Sequence, residues 1–415
     1  MASSVALWIL LCLMPIIKYV ASFVRFHPSD PEQHIFTTTS ECRLIIEGTR
    51  FPDGKQNTLS SYEARARKNG NLKWTFGIQN AFTTNDESDA KKFVKEAQRL
   101  ISVAGVDWDG LARELSRMIE GIIDKNLDGV QARIAVTPKV RALSLRTSLW
   151  VISSEMRNGI QIRTEDLANL GKIINSTWID MKGEAGEQKV LEFKDNADLQ
   201  ARLSAVLPTT SPTFETLWRI VLSLFIVLRG HHNQRYKQIL IEFARKPTTA
   251  QFRREYDNGI SAEFIVKEGL RLYPPTRRIR RIFKFPVAGS IRQQCITAAA
   301  NVEACHRDME VWGPGALEFK PARWKEISKT QRENFLAFGC SPFLCPASNG
   351  FGTMAIGLLV GVLSDAFGDR EEWVLGSDED KDLAELQSGE KLKNDRGAYE
   401  GLFFERSAQA TGVVL

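Results

Sequence analysis

Apolar positions in this 415-residue chain fall first into one continuous run and later into a series of helical stripes. Val5 to Val24 is apolar apart from Lys18 and a few small polar residues, close to the ~20 residues that cross a bilayer. Lys18 and Arg25 lie at its far end and no Lys or Arg precedes it, so the positive-inside rule places the bulk of the chain in the cytosol. A cleaved signal peptide is the competing reading, weakened by the uncharged start and the poor small-x-small site after the run. Leu111, Leu115, Met118, Ile119, Ile122 and Ile123 then recur at i, i+4, i+7 and i+8, the stripe of an amphipathic helix. Helices are also predicted over Glu87–Ile101, Leu143–Met156, Leu167–Ile179 and Ile260–Leu272. The last has Ser261 as its N-cap and stops at Tyr273-Pro274-Pro275, because proline cannot extend it. Thr353 to Phe367 carries no charge before Asp365 and is long enough for a buried helix. Asn69-Gly70, ahead of Leu72 to Phe76, reads as a hairpin turn.

Composition narrows the classes. With 43% hydrophobic residues the chain can bury a large core, and mixed charge without low-complexity tracts argues against disorder. The net charge of +5 is modest and the Lys and Arg are spread out, so nucleic acid is not an expected partner. Six cysteines at irregular spacings make no disulfide framework. No CxxC pair exists and the five His are not at metal-ligand spacing, which argues against structural zinc. Asn175-Ser176-Thr177 fits a glycosylation sequon but falls on a helical pattern, and is read as chance.

The candidate chemistry centres on Phe335 to Gly352, an aromatic loop punctuated by Gly, Ser and Pro immediately before the Thr353–Phe367 run. A cysteine placed just ahead of a helix meets exposed N–H groups and a positive dipole end, both of which favour a thiolate. A thiolate in an apolar pocket is one of the few axial ligands for haem iron; a buried structural cysteine is the plainer reading.

Phe338-Gly339, Cys345 six positions after that glycine, and Ala347 resemble the haem-binding loop of the cytochrome P-450 family. Pro342-Phe343…Cys345-Pro346-Ala347 is similar to the form found in many fungal members. Two departures stand out: Ser341 occupies the usual second glycine, and Phe343 replaces the basic residue that commonly reaches a haem propionate. Glu268-Gly-Leu-Arg271 followed by Leu-Tyr-Pro-Pro275 looks like the family's Glu-x-x-Arg helix and its proline turn, although an exposed ion pair would also place these two residues three apart. Arg278 falls where members often supply a cation to a propionate, and Arg323 matches the arginine that completes a Glu–Arg–Arg network. Lys91-Lys92-Phe93-Val94-Lys95 either faces a haem carboxylate or forms a solvated helix face.

The oxygen-side machinery is less definite. Glu215-Thr216 is an acid–alcohol pair of the kind that delivers protons to bound dioxygen in this family. An alternative register puts Thr209 or Thr210 over the haem, and ordinary capping by Thr213, with Glu215 in the first turn, explains the same residues.

The resemblance implies a mainly α fold with small β-sheets (α+β), a cytochrome P-450-type helical haem fold. Residues 1–24 would form a membrane signal-anchor and residues 25–415 a haem-thiolate catalytic domain. It implies haem b (iron protoporphyrin IX) ligated by Cys345, an NADPH-dependent reductase, O2 and a hydrophobic small molecule as substrate. The expected location is the endoplasmic reticulum membrane with the catalytic domain facing the cytosol. The fungal-type loop suggests secondary metabolism, terpenoid or polyketide. A haem-thiolate isomerase or dehydratase that needs no reductase is one rival, and a shortened inactive relative, suggested by the short stretch ahead of Cys345, is another.

Overall fold

The structure is a computed structural model that describes residues 33–127, 133–152, 162–180, 214–257, 259–367, 373–382, 386, 392, 393 and 395–406. The Val5–Val24 run and Thr209, Thr210 and Thr213 lie outside them. No helix among the described residues is long and apolar enough to cross a membrane.

Strand β1 (Gln33–Phe36) leads into α1 (Thr39–Glu47), α2 (Ser61–Lys68), α3 (Gly70–Phe76), α4 (Glu87–Leu100) and α5 (Trp108–Leu127). Strand β2 (Arg133–Ala135) runs directly into α6 (Val136–Ile152), followed by α7 (Thr164–Asp180) and α8 (214–228). Helices α9 (Gln234–Arg245), α10 (Thr249–Arg253) and α11 (Ala262–Leu272) precede a hairpin of β3 (Arg278–Pro286) and β4 (Gln293–Asn301). Short helices α12 (Val302–His306), α13 (Met309–Trp312) and α14 (Lys329–Asn334) then lead to α15 (Phe351–Phe367), β5 (Trp373–Ser377) and β6 (Leu402–Arg406). The described architecture is mainly helical with two small sheets.

The helices form where the apolar stripes and caps place them. In α5, Leu111, Leu115, Ile119 and Ile122 are all buried, so truncating one, as in Leu115→Ala, removes about 2–5 kcal/mol. Helix α11 is started by Ser261, whose hydroxyl accepts from Phe264 N at 3.3 Å. Helix α15 is apolar on every side and runs through the core, packed against α9, α5 and α11.

In the first sheet the order is β1-β4-β3, with β1 parallel to β4 (Ile35 opposite Ala299) and β3 antiparallel to β4 (Arg281 opposite Ala298). The second sheet has the antiparallel order β2-β6-β5.

Asn69-Gly70 does not make a hairpin. Asn69 closes α2 with its N–H on Arg65 O and has φ −94°, whereas the favoured two-residue hairpin turn needs positive φ at both central residues. The chain continues into α3 instead. Lys91 and Lys92 are exposed and pair with Glu87 and Asp89 of their own helix, the solvated-face alternative. Asn175 is buried, and its amide donates to Arg396 O at 2.9 Å.

Candidate functional site

The first cluster is built around α11. Three-residue spacing puts Glu268 and Arg271 on one helix face, and both side chains are fully buried. Glu268 Oε1 receives Arg271 Nη2, Arg323 Nε and the Lys320 N–H, each at 2.9 Å. Its Oε2 receives Arg271 Nε at 3.0 Å and Trp324 Nε1 at 2.9 Å. The remaining Arg271 hydrogens are spent on carbonyls: His306 O at 2.7 Å, Ala316 O at 2.6 Å and Glu318 O at 3.1 Å. A buried carboxylate with five donors and a buried guanidinium with every nitrogen engaged meet the condition under which buried charge is tolerated.

His306 extends this cluster to the cysteine loop. Its Nε2 accepts from Leu336 N at 2.8 Å, so Nδ1 carries the proton and donates to Arg271 O at 3.1 Å. Complete burial holds the imidazole neutral, with its pKa pushed down to about 3.

The loop is shaped by its own backbone. Gly339 has φ +73°, which a side chain rarely adopts, and its N–H donates to Leu336 O at 2.9 Å. Cys345 N–H donates back to Phe338 O at 2.9 Å, and Phe343 N–H to Cys340 O at 2.8 Å. Cys345 does not sit directly on α15: it caps a 3₁₀ turn, Pro346–Asn349, and Gly350 makes the join. Cys345 is half-buried; desolvation pushes its thiol pKa up, and a hydrogen bond from the Ala347 N–H opposes this. The Phe338 ring lies against the first turn of α15, where a Cβ on Gly352 would come within 3.0 Å of its Cε1.

Phe343 collects two cations that sequence reasoning missed. The Arg65 guanidinium carbon is 4.1 Å from the ring centroid and that of Arg281 is 4.9 Å away, with Tyr62 edge-on at 5.2 Å. Both arginines are buried and bond only backbone carbonyls: Arg65 to Ala81, Arg281 to Ile46 at 3.1 Å and Arg280 at 2.9 Å. Among the described residues no carboxylate pairs with either. Burial pushes the pKa of Arg281 down to about 9, with Arg65 adding repulsion, and that of Arg65 down to about 10. Arg278 is exposed at the start of β3. The signal for Arg281 was present, because it is in period-2 phase with the buried Phe283 and Phe285.

Glu215 lies at the start of the described part of α8, buried, and forms an ion pair with Arg396. Arg396 also stacks its guanidinium 4.6 Å from the Trp178 ring, and nearby Arg141 pairs with Glu400 while lying over Trp218. These contacts fasten the 395–406 segment to α6, α7 and α8. Thr216 is half-buried beside them.

Residues 262–363, which hold α11, Arg323 and Cys345, match the family model for cytochrome P450. By that match, this segment is similar to the cytochrome P450 family. The chain is 36% identical over 110 residues to cytochrome P450 714A2 of Arabidopsis thaliana, covering 25% of this chain and 20% of that protein. It is 32% identical over 95 residues to cytochrome P450 monooxygenase apdE of Emericella nidulans, covering 20% and 18%. The matched stretch thus spans about a fifth of the length of these curated relatives. Plant, nematode and fungal proteins all match, so the family is supported broadly, without restriction to a fungal group. The crystal structure of P450 OxyD, which is involved in the biosynthesis of vancomycin-type antibiotics, aligns with TM-score 0.46 and 13% identity over 90% of this chain and 89% of that one.

Cytochrome P450 is a haem-binding family, and the matched segment together with α2 offers a haem a chemically apt set of groups. A desolvated sulfur with one N–H aimed at it suits a metal-bound thiolate. Two buried guanidiniums, Arg281 and Arg65, with no carboxylate partner among the described residues, suit the two acid groups of protoporphyrin. Cys340, the other loop cysteine, is buried among Cys42, Phe283 and Leu336, and its thiol is raised by burial.

Proposed function

We propose that the chain is a haem-thiolate monooxygenase that inserts one oxygen atom of O2 into a hydrophobic small molecule. The observation that carries this reading is Cys345, whose backbone N–H is held by the Phe338 carbonyl and whose desolvated thiol receives the Ala347 N–H, inside the segment that matches the P450 family. Bound haem supplies the oxygen-activating and electron-transfer chemistry. Cys345 would hold its iron, Phe338 and Ala347 would keep water from the sulfur, and Gly339 would set the loop's turn. The Glu268–Arg271–Arg323 network would fix the loop's distance from α11, with His306 as the link.

Arg281 and Arg65, rather than the exposed Arg278, would hold the haem carboxylates, which compensates for Phe343 in the place of a basic residue. Electrons would come from an NADPH-dependent reductase, with secondary metabolism, terpenoid or polyketide, as the setting. Attachment through Val5–Val24 to the endoplasmic reticulum would bring an apolar substrate within reach, and protease accessibility in sealed microsomes tests that topology.

The pairing of Glu215 with Arg396 favours Thr209 or Thr210 over Glu215-Thr216 as the proton-delivering register. The same pairing favours the second reading, a haem-thiolate isomerase or dehydratase. Turnover that continues without any reductase identifies that alternative.

The deciding experiment is a carbon-monoxide difference spectrum of the reduced protein. Wild type and Cys340→Ser should show the red-shifted band of thiolate ligation, and Cys345→Ser should lose it. A band that survives in Cys345→Ser and disappears in Cys340→Ser would remove the basis of the assignment.

A further inference from the structure

Away from the haem-loop thiol, two more cysteines meet where the first sheet joins the helices. Cys42 lies on α1 and Cys305 on α12, and neither side chain has accessible surface. Cys305 is the first cause that holds the Cys42 thiol pKa up, ahead of burial. Each thiol also donates to a carbonyl at 3.2 Å, Cys42 to Phe36 O and Cys305 to Thr37 O, so both sulfurs converge on consecutive peptides at the end of β1. The buried surroundings include Ile45, Ile46, Phe51, Phe283 and Cys340.

We propose that Cys42 and Cys305 are a latent disulfide pair, closed by a hydroperoxide such as hydrogen peroxide. In the first step one thiol attacks the peroxide, its S–H proton goes to the leaving oxygen, and water departs from the resulting sulfenic acid. In the second, the other thiol attacks that sulfur, the S–S bond forms and a second water leaves. The two sulfurs together give up two electrons and two protons, and one peroxide O–O bond is cleaved. Both sulfurs already sit on consecutive carbonyls at one strand end, so closure starts from a shared buried site.

The location gives the bond a consequence. Cys305 immediately precedes His306, which bonds Arg271 O and Leu336 N. A Cys42–Cys305 bridge therefore ties α1, and through it the β1-β4-β3 sheet, to the peptide that links α11 to the cysteine loop. Because the Cys42 thiol is held protonated, first by its contact with Cys305 and then by burial, the closure is slow and depends on transient opening of β1 over the pair. It acts as a lock that accumulates under oxidising exposure rather than as a fast sensor.

The test uses the full haem-loaded chain. Cys295 and Cys305 share one tryptic peptide, bounded by Arg292 and Arg307, so the measurement is made in a Cys295→Ser background, which alters only an exposed strand position. After overnight hydrogen peroxide, the protein is alkylated in denaturant and digested without reductant. The expected product is one cross-linked species joining the Cys42 and Cys305 peptides, lost on reduction and retained in Cys340→Ser. The melting temperature should rise by several degrees on oxidation, and Cys42→Ala should abolish the rise. Recovery of both cysteines as alkylated thiols, a bridge from Cys340 instead, or a rise that persists in Cys42→Ala would each overturn the proposal.

Discussion

Arg323 Nε reaches Glu268 Oε1 at 2.9 Å across 55 residues of chain, joining the segment before the cysteine loop to the middle of α11. Its own side chain is 10% exposed, whereas that of Glu268 has no exposure at all. The two partners should therefore respond differently to truncation.

Glu268→Ala strands two guanidiniums, and Arg271→Ala takes two of the five donors from Glu268 and orphans three carbonyls, so each should cost about 3–5 kcal/mol and abolish haem incorporation. Arg323→Ala leaves Glu268 with four other donors and should cost about 1–3 kcal/mol, giving a folded protein with a lowered melting temperature. Thermal melts and haem content of the three variants check this ordering. Equal loss in all three would mean that Glu268 depends on Arg323 as much as on Arg271.

The neutral His306 predicts an acid-sensitive fold. Its folded pKa of about 3 lies below the ordinary value of 6.5, so the unfolded chain takes up the proton first. Stability contributed by the neutral imidazole is complete above about pH 6.5 and is lost as pH falls toward 3, on the order of 4–5 kcal/mol. Denaturant melts across that window should show the decline. In His306→Gln, whose amide can still accept from Leu336 N, the slope over this range should flatten.

Arg65 and Arg281 should produce opposite effects in the haem-free and haem-loaded protein. Replacing either buried cation by methionine removes an uncompensated charge, so the haem-free chain should hold or gain stability. The haem-loaded protein should release haem about tenfold to a hundredfold more readily, the equivalent of losing about 1–3 kcal/mol of charge-assisted bonding. Haem transfer to an acceptor protein and apoprotein melts separate the two effects. Unchanged haem retention in both Arg65→Met and Arg281→Met would take the carboxylate role away from this pair.

Glu215 and Arg396 are expected to behave as a structural pair. Glu215→Gln leaves Arg396 buried opposite a neutral amide and should lower the melting temperature. Adding Arg396→Met should restore much of the loss, with a coupling energy of about 1–3 kcal/mol in the double-mutant cycle. A variant with slowed turnover but an unchanged melting temperature would return Glu215 to the proton-delivery role.

The order and character of the helices were legible in the chain itself. The stripe from Leu111 to Ile123, the Ser261 cap, the proline stop after Leu272 and the uncharged run from Thr353 each marked an element the structure contains. Helical spacing alone also put Glu268 and Arg271 on one face, because i,i+3 geometry is local. What only the tertiary structure decided is which distant groups share a space. Trp324 and the Lys320 N–H complete the ligation of Glu268, Arg65 and Arg281 converge on Phe343, and Arg396 meets Glu215. Asn69-Gly70 failed as a turn for the same reason: residue preference offers a local option, and the packing of α2 and α3 selected another. Periodicity reports the direction in which a side chain points relative to its own backbone. Its partner, burial and ionisation depend on what another segment brings to that face, and no local pattern carries that information.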